Sequence, residues 1–155
     1  MAPRRCKVFL DSHVILSGLF SDQGAPRIIL DLLAVGLPVL AGATGLYDLM
    51  EVERNLKKKM PEALPLYQEY LPKLGLEVVS LPSMETVKSM AGLLAEKDIP
   101  VLASAIAWGA EYLITGDKKD FAPLKRAQRR HYPEIVSPTE FVEKVFPSLI
   151  GCPPE

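Results

Sequence analysis

Short apolar runs alternate with longer segments of helical spacing, and this alternation is the feature that most restricts the fold. The predicted strands are Lys7–Leu10, Leu37–Gly42, Leu76–Leu81, Glu111–Thr115 and Glu134–Ser137. The first run has no polar alternation, which is typical of a strand covered on both faces in a parallel sheet. Repeated strand-helix alternation predicts a three-layer α/β/α sandwich with a central parallel sheet of about five strands and right-handed crossovers.

Predicted helices with recognisable boundary residues separate these strands. The predicted helices are Val14–Phe20, Ala25–Gly36, Ala43–Met60, Pro61–Gly75, Met84–Lys97, Asp98–Ala110 and Pro138–Phe146. Pro26 near the start and Gly36 at the end of the second helix are the expected boundary residues. In the third helix Leu49, Val52 and Leu56 form one apolar stripe.

Length and composition indicate an ordinary globular protein. At 155 residues with 48% hydrophobic residues, the chain is about one domain long. We expect one domain over residues 1–148 and a tail over residues 149–155, with loose order beginning at about Pro147. A net charge of −1 makes no general case for nucleic acid.

Nothing in the sequence indicates a disulfide framework, a zinc site or a membrane anchor. Cys6 and Cys152 lack ligand spacing. No apolar stretch approaches the roughly 20 residues of a membrane span, and the first residues do not look like a signal peptide. We therefore expect a cytoplasmic protein.

Acidic residues follow several predicted strands. Asp11 ends the first strand, Glu51 and Glu53 lie on the helix after the second, Asp98 opens the helix before the fourth, and Asp117 follows the fourth. These carboxylates therefore come towards one edge of the sheet. Crowded carboxylates repel unless a cation neutralises them, and oxygen donors suit Mg²⁺ or Mn²⁺. The pattern predicts a site for such a cation.

Three segments in this order resemble the PIN-domain ribonucleases, specifically the VapC-like toxin components of toxin-antitoxin systems. They are VFLDSHVILSGL, MEVERNL and DIPVLASAIAWGAEYLITGDKKDF, and the resemblance runs from Lys7 to about Val145. It implies metal-dependent hydrolysis of RNA phosphodiester bonds. It also implies an antitoxin partner and a homodimer.

The resemblance assigns roles to individual residues. Asp11, Glu51, Asp98 and Asp117 match the four catalytic, metal-binding acids, while Thr115 and Asp120 match supporting positions. The family usually has Thr-Asn after the first acid, whereas this chain has Ser12 and His13. Ser12 keeps the hydroxyl as a supporting residue, but His13 changes the surroundings of Asp11. Two lysines, rather than one residue, separate Asp117 from Asp120.

The choice between Glu51 and Glu53 stays open at this stage. Helical projection puts Glu53 near the apolar stripe and Glu51 towards the opposite side, which favours Glu53 as the inward carboxylate. The family pattern favours Glu51, because a residue at the rim of the sheet need not lie on the core stripe. We take Glu51 as the metal ligand and Glu53 as a supporting residue.

The same residues also have ordinary structural explanations. Asp98 and Ser12 are good helix caps, Asp117 after Gly116 suits a turn, and His13 suits an exposed helix start. On these readings the chain would carry no metal site.

A basic run follows the proposed fourth acid. It comprises Lys118, Lys119, Lys125, Arg126, Arg129 and Arg130. Of these we take Lys118, Lys119, Arg126 and Arg129 as candidate contacts for substrate phosphates, since such contacts position a nucleic acid without reading its sequence. A solvated surface loop is the alternative.

Two other functions are compatible with an Asp after the first strand. One is a PIN-like RNA- or protein-binding module that has lost activity through the Ser12-His13 change. The other is a phospho-accepting signalling domain, but the third and fifth strands are not followed by the Asp and Lys that it requires.

Overall fold

The computed structural model describes residues 5–126 and 132–151. Its five strands form one sheet in the order β3-β2-β1-β4-β5, and every neighbouring pair is parallel. The strands are β1 Cys6–Leu10, β2 Leu40–Gly45, β3 Glu77–Val79, β4 Tyr112–Ile114 and β5 Glu134–Val136. The predicted three-layer fold with a five-stranded parallel sheet is confirmed.

Helices cover both faces of this sheet. They are α1 Ser12–Phe20, α2 Ala25–Val35, α3 Leu46–Lys59, α4 Leu64–Tyr70, α5 Met84–Ser89, α6 Ile99–Trp108, α7 Pro138–Glu140 and α8 Phe146–Leu149. Short 3-10 segments occupy Pro61–Ala63, Leu71–Leu74 and Lys118–Arg126, and a π-helical turn, Phe141–Val145, joins α7 to α8.

The position of β1 at the centre of the sheet explains why Val8, Phe9 and Leu10 are all apolar. Val8 and Leu10 belong to the core cluster that contains α1 to α4, whereas Phe9 belongs to the cluster on the opposite face, which contains α6. All three side chains are fully buried. Burial of each contributes roughly 1.5–3 kcal/mol. The chain therefore has a core on each side of β1.

Strand register aligns the carboxyl ends of the central strands. Leu10 of β1 pairs with Thr44 of β2 and with Ile114 of β4. The residues that follow these positions, Asp11 and Thr115 among them, consequently emerge at one edge.

The boundary between the second strand and the third helix lies later than predicted. Residues 43–45, expected to open the helix, are the end of β2, and Leu37–Val39 precede the strand. Pairing with β1 explains the shift, because the ladder continues to Thr44. Pro38, which has no N–H, lies before the ladder, where the Leu40 N–H donates to the Leu37 carbonyl.

The predicted helix Met84–Lys97 is wrong in its second half. Helix α5 ends at Ser89, and turns lead from there to α6. Gly92 has φ of +88°, a left-handed conformation that interrupts a right-handed helix. The segment that contains Lys97 is therefore a loop.

The chain end also differs from expectation. Helix α8 reaches Leu149, so Pro147 to Leu149 are helical where loose order was expected. Residues 152–155 lie outside the described residues. Within the described parts of the chain, no helix combines the length and apolar character needed to cross a bilayer.

Candidate active site

A small pocket lies at the carboxyl edge of the sheet. It has a volume of about 40 Å³, and its acidic lining residues are Asp11, Glu51, Asp98 and Asp117. The other lining residues are Ser12, His13, Lys97, Val101, Thr115 and Phe121. An ordered water needs roughly 10–15 Å³, so this space suits a few waters or a small cation. The four acids matched by resemblance thus share one pocket.

Asp11 caps helix α1 and stays available to the pocket. Its Oδ1 accepts a hydrogen bond from the Val14 N–H at 3.0 Å. Burial raises the pKa of Asp11, while hydrogen bonds from Thr115 and Val14 oppose that rise. The cap and site explanations of this residue therefore coexist, because one carboxylate oxygen suffices for the cap.

Asp98 stands at the first position before α6 but does not cap it through its side chain. Among the described residues its carboxylate accepts no cap hydrogen bond from the helix. It lies instead beside the Lys97 ammonium, whose Nζ is 3.3 Å from Asp98 Oδ1. Burial raises the pKa of Asp98, and Lys97 opposes that rise. The simple helix-cap explanation for Asp98 is therefore weak.

Asp117 lies in a turn after β4. Its backbone N–H donates to Thr115 Oγ1 at 3.1 Å, which fixes the turn. Its Oδ2 is 3.7 Å from His13 Nε2, and both side chains are well exposed. His13, which replaces the family's usual Asn, thus faces the fourth acid across the pocket.

Glu51 and Glu53 separate clearly in the structure. Glu51 lines the pocket, although helical projection placed it away from the core stripe. Glu53 does not line it and lies close enough to Tyr67 to contribute, after burial, to raising the pKa of that phenol to about 12. The pocket lies at the rim of the core. The apolar stripe of α3 marks the residues that face the core, so it did not identify Glu51.

Asp48 is a buried acid that sequence reasoning missed. Its side chain is fully buried, and its Oδ1 accepts the Ser12 N–H at 3.2 Å. Its Oδ2 has no hydrogen-bond partner among the described residues. Burial raises the pKa of Asp48 well above its usual value, and the charges of Asp11 and Glu51 add to the rise. Asp48, Val52 and Leu56 are spaced four residues apart on the buried face of α3. This spacing is the sequence signal that could have identified Asp48 as a buried acid.

The basic residues occupy different surroundings. Lys118 Nζ donates to both carboxylate oxygens of Glu140, at 2.8 and 2.9 Å, so its charge already has a partner. Lys119 is exposed. The side chain of Arg126 and the whole of Arg129 lie outside what the structure describes. Asp120 accepts a hydrogen bond from Lys97 at 3.2 Å.

The chemistry of the lining fits a hard divalent cation. The pocket offers carboxylate and hydroxyl oxygens. The buried Oδ2 of nearby Asp48 has no hydrogen-bond partner within the described part of the chain. Burial is the main cause of the raised pKa values of Asp11, Asp48 and Asp98, and the charges of neighbouring acids add to the rise. Across residues 5–126 and 132–151, no three Asp, Glu, His or Cys side chains form a ready ligand set. Bound cation would therefore require the carboxylates to move together.

Comparisons with known proteins bear on the fold. No family model and no curated protein sequence matches this chain. The solved structure of VapBC2 from Rickettsia felis, bound to a DNA fragment from its promoter, is similar with a TM-score of 0.59 at 18% identity. The match covers 84% of this chain and 98% of that one. VapBC-1 from nontypeable Haemophilus influenzae matches with a TM-score of 0.57 at 15% identity, covering 86% and 98%.

These likenesses extend over nearly the whole of each solved chain, and the five-stranded parallel sheet agrees with the predicted fold class. The chain therefore has the VapC-like PIN-domain fold.

Proposed function

We propose that the protein is a Mg²⁺- or Mn²⁺-dependent endoribonuclease that hydrolyses phosphodiester bonds of single-stranded or structured RNA, as the toxin of a toxin-antitoxin pair. One observation carries the proposal: Asp11, Glu51, Asp98 and Asp117, remote in sequence, line one pocket at the carboxyl edge of the sheet. The resemblance of these segments to the PIN-domain ribonucleases supports the reaction class.

In this proposal the four acids hold one or two ions, and bound metal would activate a water and stabilise charge on the scissile phosphate. The chain's own contribution is positioning. Thr115 donates a hydrogen bond to the Asp11 carboxylate, and Asp48 fixes the start of α1 through Ser12. Water adds to phosphorus, the bond to one ester oxygen breaks, and that oxygen takes up a proton. No protein nucleophile is needed.

RNA would lie along the basic segment beside the pocket. Lys119 is the exposed candidate, and Arg126 and Arg129 remain predicted contacts. Lys118 would reach a phosphate only after leaving Glu140. Asp120 is proposed as a supporting residue of the site, while Glu53, which faces Tyr67, would act only indirectly.

The two structural neighbours are VapBC complexes, which supports the proposal of an antitoxin partner. We also propose a homodimer, as the family resemblance implies, and a cytoplasmic location.

The test is cleavage of a 5'-labelled single-stranded RNA with Mn²⁺, with EDTA, and with Asp11→Asn beside the wild type. We expect metal-dependent cleavage, and loss of about 100-fold or more in the variant, because a ligand is weakened for the cation that would stabilise the transition-state charge. Intact RNA with the metal-loaded wild type would contradict the proposal, provided that several RNA sequences are tried.

A second function, a catalytically degenerate PIN-like binding module, is favoured by one observation. The imidazole of His13 faces Asp117 in the pocket, and hard-cation sites rarely use imidazole. This function predicts Mn²⁺ or RNA binding that depends on Asp11 but is followed by no cleavage.

A further inference from the structure

A lysine side chain of this protein lines the acidic pocket. Lys97 occupies the turn before α6 and lines the pocket. Its Nζ lies 3.3 and 3.4 Å from the two carboxylate oxygens of Asp98 and 3.2 Å from Asp120 Oδ2. The ammonium therefore bridges one proposed metal ligand and one proposed supporting acid.

Local structure explains why Lys97 reaches both acids. The Asp98 N–H donates to the Ala95 carbonyl at 2.9 Å, which closes the turn that presents Lys97. Among the described residues the Asp98 carboxylate accepts no helix-cap hydrogen bond. It is paired instead with the Lys97 ammonium. The Lys97 side chain is 64% exposed and that of Asp98 is 11% exposed, so the ammonium can move into water while the carboxylate stays in the pocket. The pair with Asp120, whose side chain is 31% exposed, is of the partly exposed kind that contributes little.

We propose that Lys97 is an internal cation that ties Asp98 to Asp120 in the metal-free pocket and is released to solvent when a divalent cation binds. This inference rests on the proposed function, because it assumes that Asp98 is a metal ligand. It assigns to Lys97 a regulatory role in metal loading, and no contact with RNA.

Electrostatic repulsion prevents Lys97 from staying beside Asp98 while a divalent ion is bound to the same carboxylate. A divalent ion on Asp98 would place two positive charges beside the ammonium that now lies within 3.4 Å of the same carboxylate. The four-carbon stem of lysine is flexible and lets the charge swing into water at little cost. The divalent ion would thus replace the weakly held Lys97 ammonium beside Asp98.

The first measurement is amine labelling of the EDTA-treated wild type with an acetylating reagent, with and without Mg²⁺, read by mass spectrometry. Lys88, exposed on α5, is the internal reference. We expect Mg²⁺ to increase the labelling of Lys97 several-fold relative to Lys88, because the released amine no longer hydrogen-bonds to two carboxylates.

The second measurement is Mn²⁺ affinity by titration calorimetry for the wild type, Lys97→Met, Lys97→Arg and Lys88→Met. Removing the competitor should make Lys97→Met bind Mn²⁺ about fivefold more tightly, the scale of one exposed ion pair. Lys97→Arg and Lys88→Met should stay near the wild-type affinity.

Two negative outcomes are distinguishable. If Mn²⁺ binds, but Lys97 labelling is unchanged and Lys97→Met binds no more tightly than Lys88→Met, the role of Lys97 is wrong while the metal site stands. If neither the wild type nor Lys97→Met binds Mn²⁺, the metal site of the proposed function is wrong, and the role of Lys97 is wrong with it.

Discussion

Single residues show where sequence reasoning reaches its limit in this protein. Asp11, Asp98 and Asp117 could be located because each follows or precedes a recognisable element. Asp48 and Lys97 could not be assigned in the same way, because their importance depends on which distant groups they meet. Asp48 meets Ser12 across 36 positions, and Lys97 meets Asp120 across 23. Such partners are set by tertiary packing, which local patterns do not record.

Asp48 gives a prediction that separates its hydrogen bonding from its charge. Asp48→Asn keeps an oxygen acceptor for the Ser12 N–H and removes a charge that burial penalises. We expect it to leave the free energy of unfolding of metal-free protein unchanged or higher at pH 7. Asp48→Ala should lower it by about 2–4 kcal/mol, because a buried N–H loses its acceptor and a cavity forms.

Urea unfolding in EDTA checks both variants. Equal destabilisation by Asn and Ala would show that the charge itself holds this part of the structure, contrary to our reading.

At the scale of elements, the sequence predicted which segments are strands and helices better than where they meet. The strand β2 and helix α3 join at Gly45, three residues later than the pattern suggested. The apolar pattern continues through the junction, so only the pairing with β1 defines it. The sequence also predicts a helix over the segment that carries Lys97, because its composition favours a helix. Helix α5 ends at Ser89 instead, and Gly92, at φ +88°, does not continue it.

The junction between β2 and α3 predicts a steric effect at Gly45. A Cβ there would lie 2.8 Å from Asp48 Oδ2 and 3.3 Å from both Phe9 and Ser104. The backbone itself, at φ −89°, accepts any residue. Gly45→Ala should therefore destabilise by about 1–3 kcal/mol through overpacking alone.

Gly116, in the turn between Thr115 and Asp117, is the matched control. A Cβ there meets no heavy atom within 4 Å among the described residues. Gly116→Ala should change the free energy of unfolding by less than about 0.5 kcal/mol. Thermal unfolding of the two variants side by side makes the comparison, and equal effects would argue against crowding at Gly45.

At the scale of the whole molecule, two cores on opposite faces of one sheet follow from a central strand in which Val8, Phe9 and Leu10 are all apolar. This part of the architecture could be predicted, because strands of a parallel sheet that is covered on both faces are continuously apolar and alternate with helices along the chain. The contact between the segment after β4 and helix α7 could not be predicted from the sequence. Lys118 on the segment after β4 pairs with Glu140, which also completes the capping box of α7 with Ser137.

This connection predicts a pH-dependent contribution to stability. Hydrogen bonds from Lys118 and the Ser137 N–H lower the pKa of Glu140 to about 2 from its ordinary value of 4.5. Since the folded pKa is depressed, the stabilisation is fully present above about pH 4.5 and is lost as the pH falls towards 2.

Glu140→Gln should accordingly lower the free energy of unfolding by about 1 kcal/mol at pH 7, after discounting for the partial exposure of the pair, and by much less at pH 2. Chemical denaturation at both pH values measures the difference. Glu143→Gln, exposed on the next turn, should have no effect at either pH. A deficit of the same size at pH 2 would show that the charge of Glu140 is not the cause.

The strand order described above also affects when the pocket can form during synthesis. Strand β1 lies at the centre of the sheet, and its neighbour β4 begins only at Tyr112, about 100 residues after β1 ends at Leu10. Asp98 and Asp117 likewise follow Asp11 by 87 and 106 positions. A nascent chain that emerges at about 5–20 residues per second therefore spends several seconds with only half of the acid set. If the proposed nuclease function holds, this topology would keep the four acids apart until the segment that carries Asp117 has been made.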